Sequence, residues 1–147
     1  MNPQSVYLVQ TDTTVGLLSQ DPHRLAALKS RPSQKPILLT LDSLSALKRF
    51  SRVPLLFRNL VRRSNKSSFV YPNGAGIRVV KEPRHRRFLE RFGYLYSTSA
   101  NPSGGVFSLE FGERACDIMV LDEAGLCEGQ PSKIWRLGRS RRRKLRG

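Results

Sequence analysis

Ser97-Thr98-Ser99-Ala100-Asn101-Pro102-Ser103-Gly104-Gly105 follows the apolar run Gly93-Tyr94-Leu95-Tyr96. An apolar run that ends in hydroxyls, an amide and paired glycines reads as a strand opening into a loop. Backbone N–H groups and short side-chain donors of such a loop can converge on phosphate or another oxyanion. The same residue types also build an ordinary surface turn, so composition alone leaves both readings open.

A second segment bears on the choice. Lys29-Ser30-Arg31-Pro32-Ser33-Gln34-Lys35-Pro36 places three cations between a predicted helix and the apolar run Ile37-Leu38-Leu39. Charge at a helix-to-strand connection can face a ligand held over a sheet. The two strings, K-x-R-P-x-x-K-P and then S-T-S-A-N-x-S-G, together resemble the signature pair of the YrdC-like family. These are the threonylcarbamoyl-adenylate synthases that supply the first step of threonylcarbamoyladenosine formation in transfer RNA. The resemblance covers nearly the whole chain from Leu8.

The composition bounds the problem independently. At 147 residues the chain suits one domain spanning 1–147, long enough to bury about two-thirds of its unfolded surface. Hydrophobic residues make up 39%, a globular proportion, and no apolar run approaches the roughly 20 residues a membrane helix needs. The first residues, Met1-Asn2-Pro3-Gln4-Ser5, lack a basic region followed by an apolar one, so the expected location is the cytoplasm. Cys116 and Cys127, with only His23 and His85 to help, are too few and too widely spaced for zinc. Two buried thiols and no metal site are expected. The 26 Lys and Arg against 11 Asp and Glu leave a formal charge of +15, which points to an anionic partner, RNA above all. No amphipathic helix with bulky anchors accompanies that charge, which argues against a membrane surface.

Strands and helices alternate in the sequence, as an α/β domain requires. Ser5 to Val9 reads as a strand and leads into the hydroxyl-rich Gln10-Thr11-Asp12-Thr13-Thr14-Val15-Gly16-Leu17. Asp21 caps a helix from Pro22 to Ser30. A buried strand Ile37 to Leu41 follows, then a helix capped by Ser43 and another begun by Pro54, with Leu55, Leu56, Leu60 and Val61 on its apolar side. Pro72-Asn73-Gly74 joins strands Ser68 to Tyr71 and Gly76 to Val80. The helix Pro83 to Phe92 buries Phe88, Leu89 and Phe92 and leaves His85 solvated among arginines. Asp117 to Leu121 is a strand and Gly125 to Pro131 a loop. The basic segment 136–147 has the composition of a disordered, polyanion-binding tail.

The resemblance implies more than composition does. It implies a twisted mixed sheet with helices packed outside and a basic concave cleft. The family's P-T-D-T-V-Y-G-L segment is matched at Thr11, Asp12, Thr13, Gly16 and Leu17, but Gln10 stands for the proline and Val15 for the tyrosine. Nothing equivalent to W-P-G-P-x-T precedes Gly76-Ile77-Arg78-Val79-Val80, which is similar to A-V-R-V-P. Pro131-Ser132-Lys133-Ile134 resembles P-S-x-I. By this resemblance Lys29, Arg31, Lys35 and Arg78 hold phosphate oxygens of ATP, Ser99, Ala100, Asn101 and Ser132 fix the nucleotide, and Thr11 and Thr13 face L-threonine. The implied reaction joins bicarbonate, L-threonine and ATP, with magnesium accompanying the nucleotide, to give threonylcarbamoyl-AMP and pyrophosphate. No residue is assigned as acid or base. The alternative is a YrdC-like module that binds RNA or nucleotide without chemistry.

Overall fold

The protein, described here from a computed structural model over residues 1–30 and 36–147, is a mixed α/β chain whose strands pair both parallel and antiparallel. It divides into two compact units, Met1–Ile37 with Leu95–Gln130, and Leu38–Tyr94 with Pro131–Gly147.

In the first unit, strands β1 (Tyr7–Gln10) and β2 (Val15–Ser19) form an antiparallel hairpin with Leu8 opposite Leu17 and Gln10 opposite Val15. Every residue of β2 is buried, so its sequence, VGLLS, lacks the alternation that marks a half-exposed strand. That is why the hydroxyl-rich segment before it reads as one continuous stretch in the sequence. Strand β6 (Tyr94–Ser99) pairs antiparallel with the far side of β2, and the two-residue β7 (Ile118–Met119) runs parallel to β1.

Helix α1 (Pro22–Leu28) starts where Asp21 accepts a hydrogen bond from the Arg24 N–H at 3.1 Å. It stops short of the expected Ser30, which takes a left-handed conformation with φ of 51°. Helix α5 (Leu109–Ala115) begins at Ser108, whose hydroxyl accepts from the Phe111 N–H at 3.1 Å. Gly112 lets this helix approach β1, since a Cβ there would lie 2.8 Å from Leu8 Cδ1. Val6, Leu8, Val15, Leu17, Leu25 and Ala100 form the core between these elements.

The second unit carries five strands in the order β3 (Leu38–Leu41), β5 (Gly76–Val79), β4 (Ser67–Val70), β8 (Lys133–Leu137), β9 (Arg142–Arg146). The β4–β5 turn needs a glycine, because Gly74 has φ of 85°. Helices α2 (Leu44–Leu47), α3 (Arg58–Arg63) and α4 (Pro83–Glu90) belong to the same unit.

Several expectations change here. The helix begun by Pro54 opens as a 3-10 turn, Leu55–Phe57, before α3. The tighter turn rotates side chains by about 120° per residue instead of 100°. Leu55 and Leu56 therefore leave the inward side and stand 71% and 70% exposed, while Val61 stays buried. His85 is buried rather than solvated: it shares one helical face with Phe88 and Leu89, three and four residues on. Cys116 is only half-buried and Cys127 is exposed, and both are free thiols. The basic tail is an ordered strand, β9, paired antiparallel with β8. Among the described residues no helix is long and apolar enough to cross a membrane.

One ion pair fastens α1 to the start of β1 and β7. Arg24 donates to both carboxylate oxygens of Asp117, at 2.6 and 2.7 Å, and Asp117 Oδ2 also accepts from the Val6 N–H at 2.8 Å. The guanidinium, and after it the Val6 N–H, hold the Asp117 carboxyl below the usual carboxylate range. A folded pKa below the unfolded one stabilises the protein above the unfolded value, about 3.9, and that stability is lost as pH falls through the folded value. Because the pair is partly open to solvent, Asp117→Asn should cost only about 1 kcal/mol at pH 7. Thermal melts of wild type and variant should converge as pH drops below about 4. An equal gap at pH 2 and pH 7 would show that the carboxylate charge is not the source.

Candidate functional site

The candidate residues of the first unit gather at two turns of the chain. Between Gln10 and Val15, the last ladder pair of the β1–β2 hairpin, the backbone turns within four residues. Thr11 organises that turn. Its hydroxyl accepts from the N–H groups of Thr13 and Thr14, both at 3.2 Å, and donates to the Thr14 carbonyl at 2.5 Å. The Thr13 hydroxyl lies 3.2 Å from it. Gly16 makes room for this arrangement, since a Cβ there would stand 2.9 Å from Thr11 Cγ2 and 3.4 Å from Ser97 Oγ.

The two departures from the family string have physical readings. Gln10 Oε1 accepts from the Cys127 N–H at 2.8 Å, so the side chain in the proline's place ties the turn to the loop after β7. Gly129 of that loop donates to Thr14 Oγ1 at 3.4 Å. A Cβ on Gly129 would come within 1.8 Å of the Thr13 carbonyl oxygen, so no other residue fits there without moving the loop. Val15 is fully buried in the core. A tyrosine at that position would have to enter a closed, packed interior.

The second turn is the small-residue loop after β6. Antiparallel pairing sets Gly16 opposite Ser99 and Leu18 opposite Ser97. The Ala100 N–H then donates to the Val15 carbonyl at 3.0 Å, which drives the Ala100 side chain into the core. Asn101 closes the loop by donating from Nδ2 to the carbonyls of Pro102 and Gly105, at 2.8 and 2.9 Å.

Lys29 reaches this loop from the end of α1. Its ammonium donates to the Ser99 carbonyl at 3.0 Å, to the Asn101 carbonyl, and to Asn101 Oδ1 at 3.3 Å. At 3% exposure it is a buried cation whose donors are directed at the loop. The Phe111 ring of α5 lies 5.9 Å away and adds the attraction of its π face. The geometry therefore joins Lys29, Ser99, Ala100 and Asn101 into one assembly. Arg31 and Lys35, the other cations of the same string, lie outside the described residues.

The second unit holds a separate cluster. Arg78 on β5 is 4% exposed, and its Nη1 lies 3.5 Å from Ser68 Oγ on β4. The Ser68 and Ser132 hydroxyls are 3.0 Å apart. Arg146, from β9, donates through Nε to the Ser132 carbonyl at 2.9 Å and through Nη2 to Ser132 Oγ at 3.2 Å. Partial desolvation beside Ser132 pulls the Arg146 pKa down from its ordinary value although the residue as a whole is exposed.

These hydrogen bonds bring two guanidinium groups onto one hydroxyl pair, a donor set suited to an anion. Ser68 and Arg146 are additions to the residues read from sequence. Ser68 carries no local signal of its role. Arg146 could have been found from its place in the closing Leu145-Arg146-Gly147, once β9 was recognised as a strand. Among the described residues no three His, Cys, Asp or Glu side chains are grouped to hold a metal ion.

No curated protein matches the chain by sequence. Its structure is similar to the solution structure of the MTH1692 protein from Methanobacterium thermoautotrophicum, at 27% identity and a TM-score of 0.71, over 98% of this chain and 80% of that one. It is similar to E. coli YciO, at 20% identity and a TM-score of 0.77, over 97% and 82% of the respective chains. P. abyssi Sua5, solved in complex with L-threonine, matches at 18% identity and a TM-score of 0.81. There the match covers 97% of this chain but half of the other. The last two likenesses establish the fold alone. The family model Sua5_yciO_yrdC, described as "Telomere recombination", matches residues 4–147. With its signature strings intact and that model spanning almost its full length, the chain belongs to the Sua5/YciO/YrdC family.

Proposed function

We propose that this chain is an L-threonylcarbamoyladenylate synthase, a nucleotidyltransferase that makes threonylcarbamoyl-AMP and pyrophosphate for transfer RNA modification in the cytoplasm. The observation that carries the reading is the arginine–serine cluster of Arg78, Ser68, Ser132 and Arg146, two cations converging on hydroxyls in a member of this family. P. abyssi Sua5, which shares the fold, forms a complex with L-threonine, and this supports the same amino acid as the substrate here.

The chemistry fits a site built of cations and hydroxyls. The threonine amine adds to bicarbonate with loss of water, giving a carbamate anion. A carbamate oxygen then attacks the α-phosphorus of ATP, the new P–O bond forms, and the bond to pyrophosphate breaks. The nucleophile is already an anion and needs no strong protein base. What the reaction needs is alignment and compensation of phosphate charge.

In this reading Arg31, Lys35, Arg78 and Arg146 take phosphate or carboxylate oxygens, and Ser99, Asn101 and Ser132 fix the nucleotide. Lys29 holds the Ser99–Asn101 backbone in its binding shape and lends its charge from beneath. Thr11 sets the hairpin turn so that the Thr13 hydroxyl can meet threonine. Magnesium belongs with the triphosphate, because Mg2+ keeps several waters and binds phosphate oxygens more readily than an all-protein cage. A module that binds nucleotide or RNA without chemistry is the second reading. The burial of Val15 favours it, because that position offers no ring to a small ligand.

Purified protein should release pyrophosphate from ATP only when L-threonine and bicarbonate are both present. ATP binding with no turnover under those conditions would replace the synthase by the binding module. Lys29→Met and Arg146→Ala separate two roles within the site. Lys29→Met removes three hydrogen bonds to the loop and Arg146→Ala two to Ser132; a hydrogen bond to a charged group is worth about 1.5–3 kcal/mol. Arg146→Ala should lower ATP or threonine affinity by that amount in calorimetry with the melting temperature nearly unchanged. Lys29→Met should lower the melting temperature as well and speed hydrogen exchange in residues 99–105. Undiminished affinity for both substrates in Arg146→Ala would remove it from the site.

A further inference from the structure

The helices of the second unit leave a cavity of about 720 Å³ that the proposed chemistry does not use. Its apolar lining comes from Leu44 and Leu47 of α2, Val53 of the connecting segment and Val61 of α3, with Leu47 and Val61 buried. Lys48, Arg52, Arg58 and Arg62 line the same cavity, and all four are exposed. From Ser43 to Lys81 the chain has no Asp or Glu, so no carboxylate of this segment offsets these charges.

The walls are held in place before anything binds. Asn73, in the β4–β5 turn, donates from Nδ2 to the Phe50 carbonyl at 3.1 Å, and its Oδ1 accepts from the Ser51 hydroxyl at 3.3 Å. Arg62 donates to Asn59 Oδ1 at 2.9 Å along α3. Between Val53 and Arg58 the 3-10 turn, closed by the Phe57 N–H on the Pro54 carbonyl at 2.9 Å, presents Leu55 and Leu56 to solvent. Single exposed leucines are ordinary, but two adjacent ones next in the chain to an apolar cleft with a cationic rim have the makings of an interaction surface. We propose that the α2–α3 cleft and the Leu55–Leu56 step dock an acidic amphipathic helix of a partner protein. The apolar stripe of such a helix enters the cleft and covers the leucines, and its carboxylates meet the four cations.

Other occupants account for less of the surface. A polyanion would use the cations, but phosphate contacts need neither an apolar floor nor two exposed leucines. A small amphiphilic anion suits a cavity of this volume, yet it leaves Leu55 and Leu56 in water. An acidic membrane would take up the leucines and leave the cleft beside them unfilled. The helices that lie on membranes are also longer than this turn of three residues and the six residues of α3. An acidic helix in the groove uses the floor, the leucines and the charge together.

The test uses the full-length protein and a synthetic peptide of about 16 residues of Glu and Leu, with leucines spaced to form one helical stripe. In calorimetry, a peptide of the same residues in scrambled order should bind roughly tenfold more weakly, and polyglutamate no better than the scrambled peptide. Leu55→Ser with Leu56→Ser should weaken the striped peptide roughly tenfold or more. Lys48→Gln, Arg52→Gln and Arg58→Gln together should weaken it by about as much, and by less as salt is raised. An equal charge removal on α4, Arg84→Gln, Arg86→Gln, Arg87→Gln, should change the affinity by less than about threefold. Because the substituted side chains are exposed, both cleft variants should keep the wild-type melting temperature. They should also keep wild-type pyrophosphate release, so failure of this inference and failure of the synthase reading are separately visible. Equal binding of the scrambled peptide or polyglutamate, or equal weakening by the α4 triple, would overturn the proposal. So would binding of dodecanoate or phosphatidylserine vesicles without any response to the striped peptide.

Discussion

A buried ammonium sets the terms for the first unit. Lys29 is removed from water almost completely, and an amine in that position is tolerable only if oxygen atoms replace its hydration. The Ser99 and Asn101 carbonyls and the Asn101 side chain supply them. The Ser99–Gly105 loop is thereby held to α1 at one end and closed on itself by the Asn101 amide at the other. A polar loop of small residues, which would otherwise sample many conformations, is restricted to one. Its charge is built in beneath the loop.

Close backbone approach is the second requirement, and glycine meets it in three places. Gly16 lets Thr11 and Ser97 come together across the ladder, Gly112 lets α5 lie on Leu8 and Ala100, and Gly129 rests directly on the Thr13 carbonyl. At each position a methyl group would meet atoms of the loops and strands that carry or support the candidate residues. These glycines set the distance between supporting elements and the hydroxyls of the hairpin turn.

The second unit solves a different problem. Arg78 and Arg146 converge on Ser68 and Ser132, whose hydroxyls, unlike carboxylates, accept hydrogen bonds without bringing a negative charge. Such a cluster keeps its attraction for an anion that enters. The same strand that delivers Arg146 continues outward as the arginine-rich face over Trp135. This short hairpin carries cations on both faces, because the register shift between Ile134 and Trp135 sets Arg146 opposite Ile134 and Lys144 opposite Trp135.

The sequence by itself determined the α/β class and the positions of most strands and helix caps. These follow from local chemistry: capping hydroxyls, apolar runs, prolines and glycines act on their own neighbourhoods. It also determined the family, through strings dense enough to be specific. What it left undecided depends on partners distant in the chain. β2 was hidden because burial on both faces erases alternation. His85 turned inward because its helical face meets a core, and Leu55 and Leu56 turned outward because a 3-10 turn shifts their phase. The arginine tail became a strand because β8 offers it a complete hydrogen-bonding edge, and composition scores a run of like charge as repulsive without knowing that such an edge exists. Ser68 and Arg146 joined the candidate site for the same reason: only strand register brings residues 68, 78, 132 and 146 to one point.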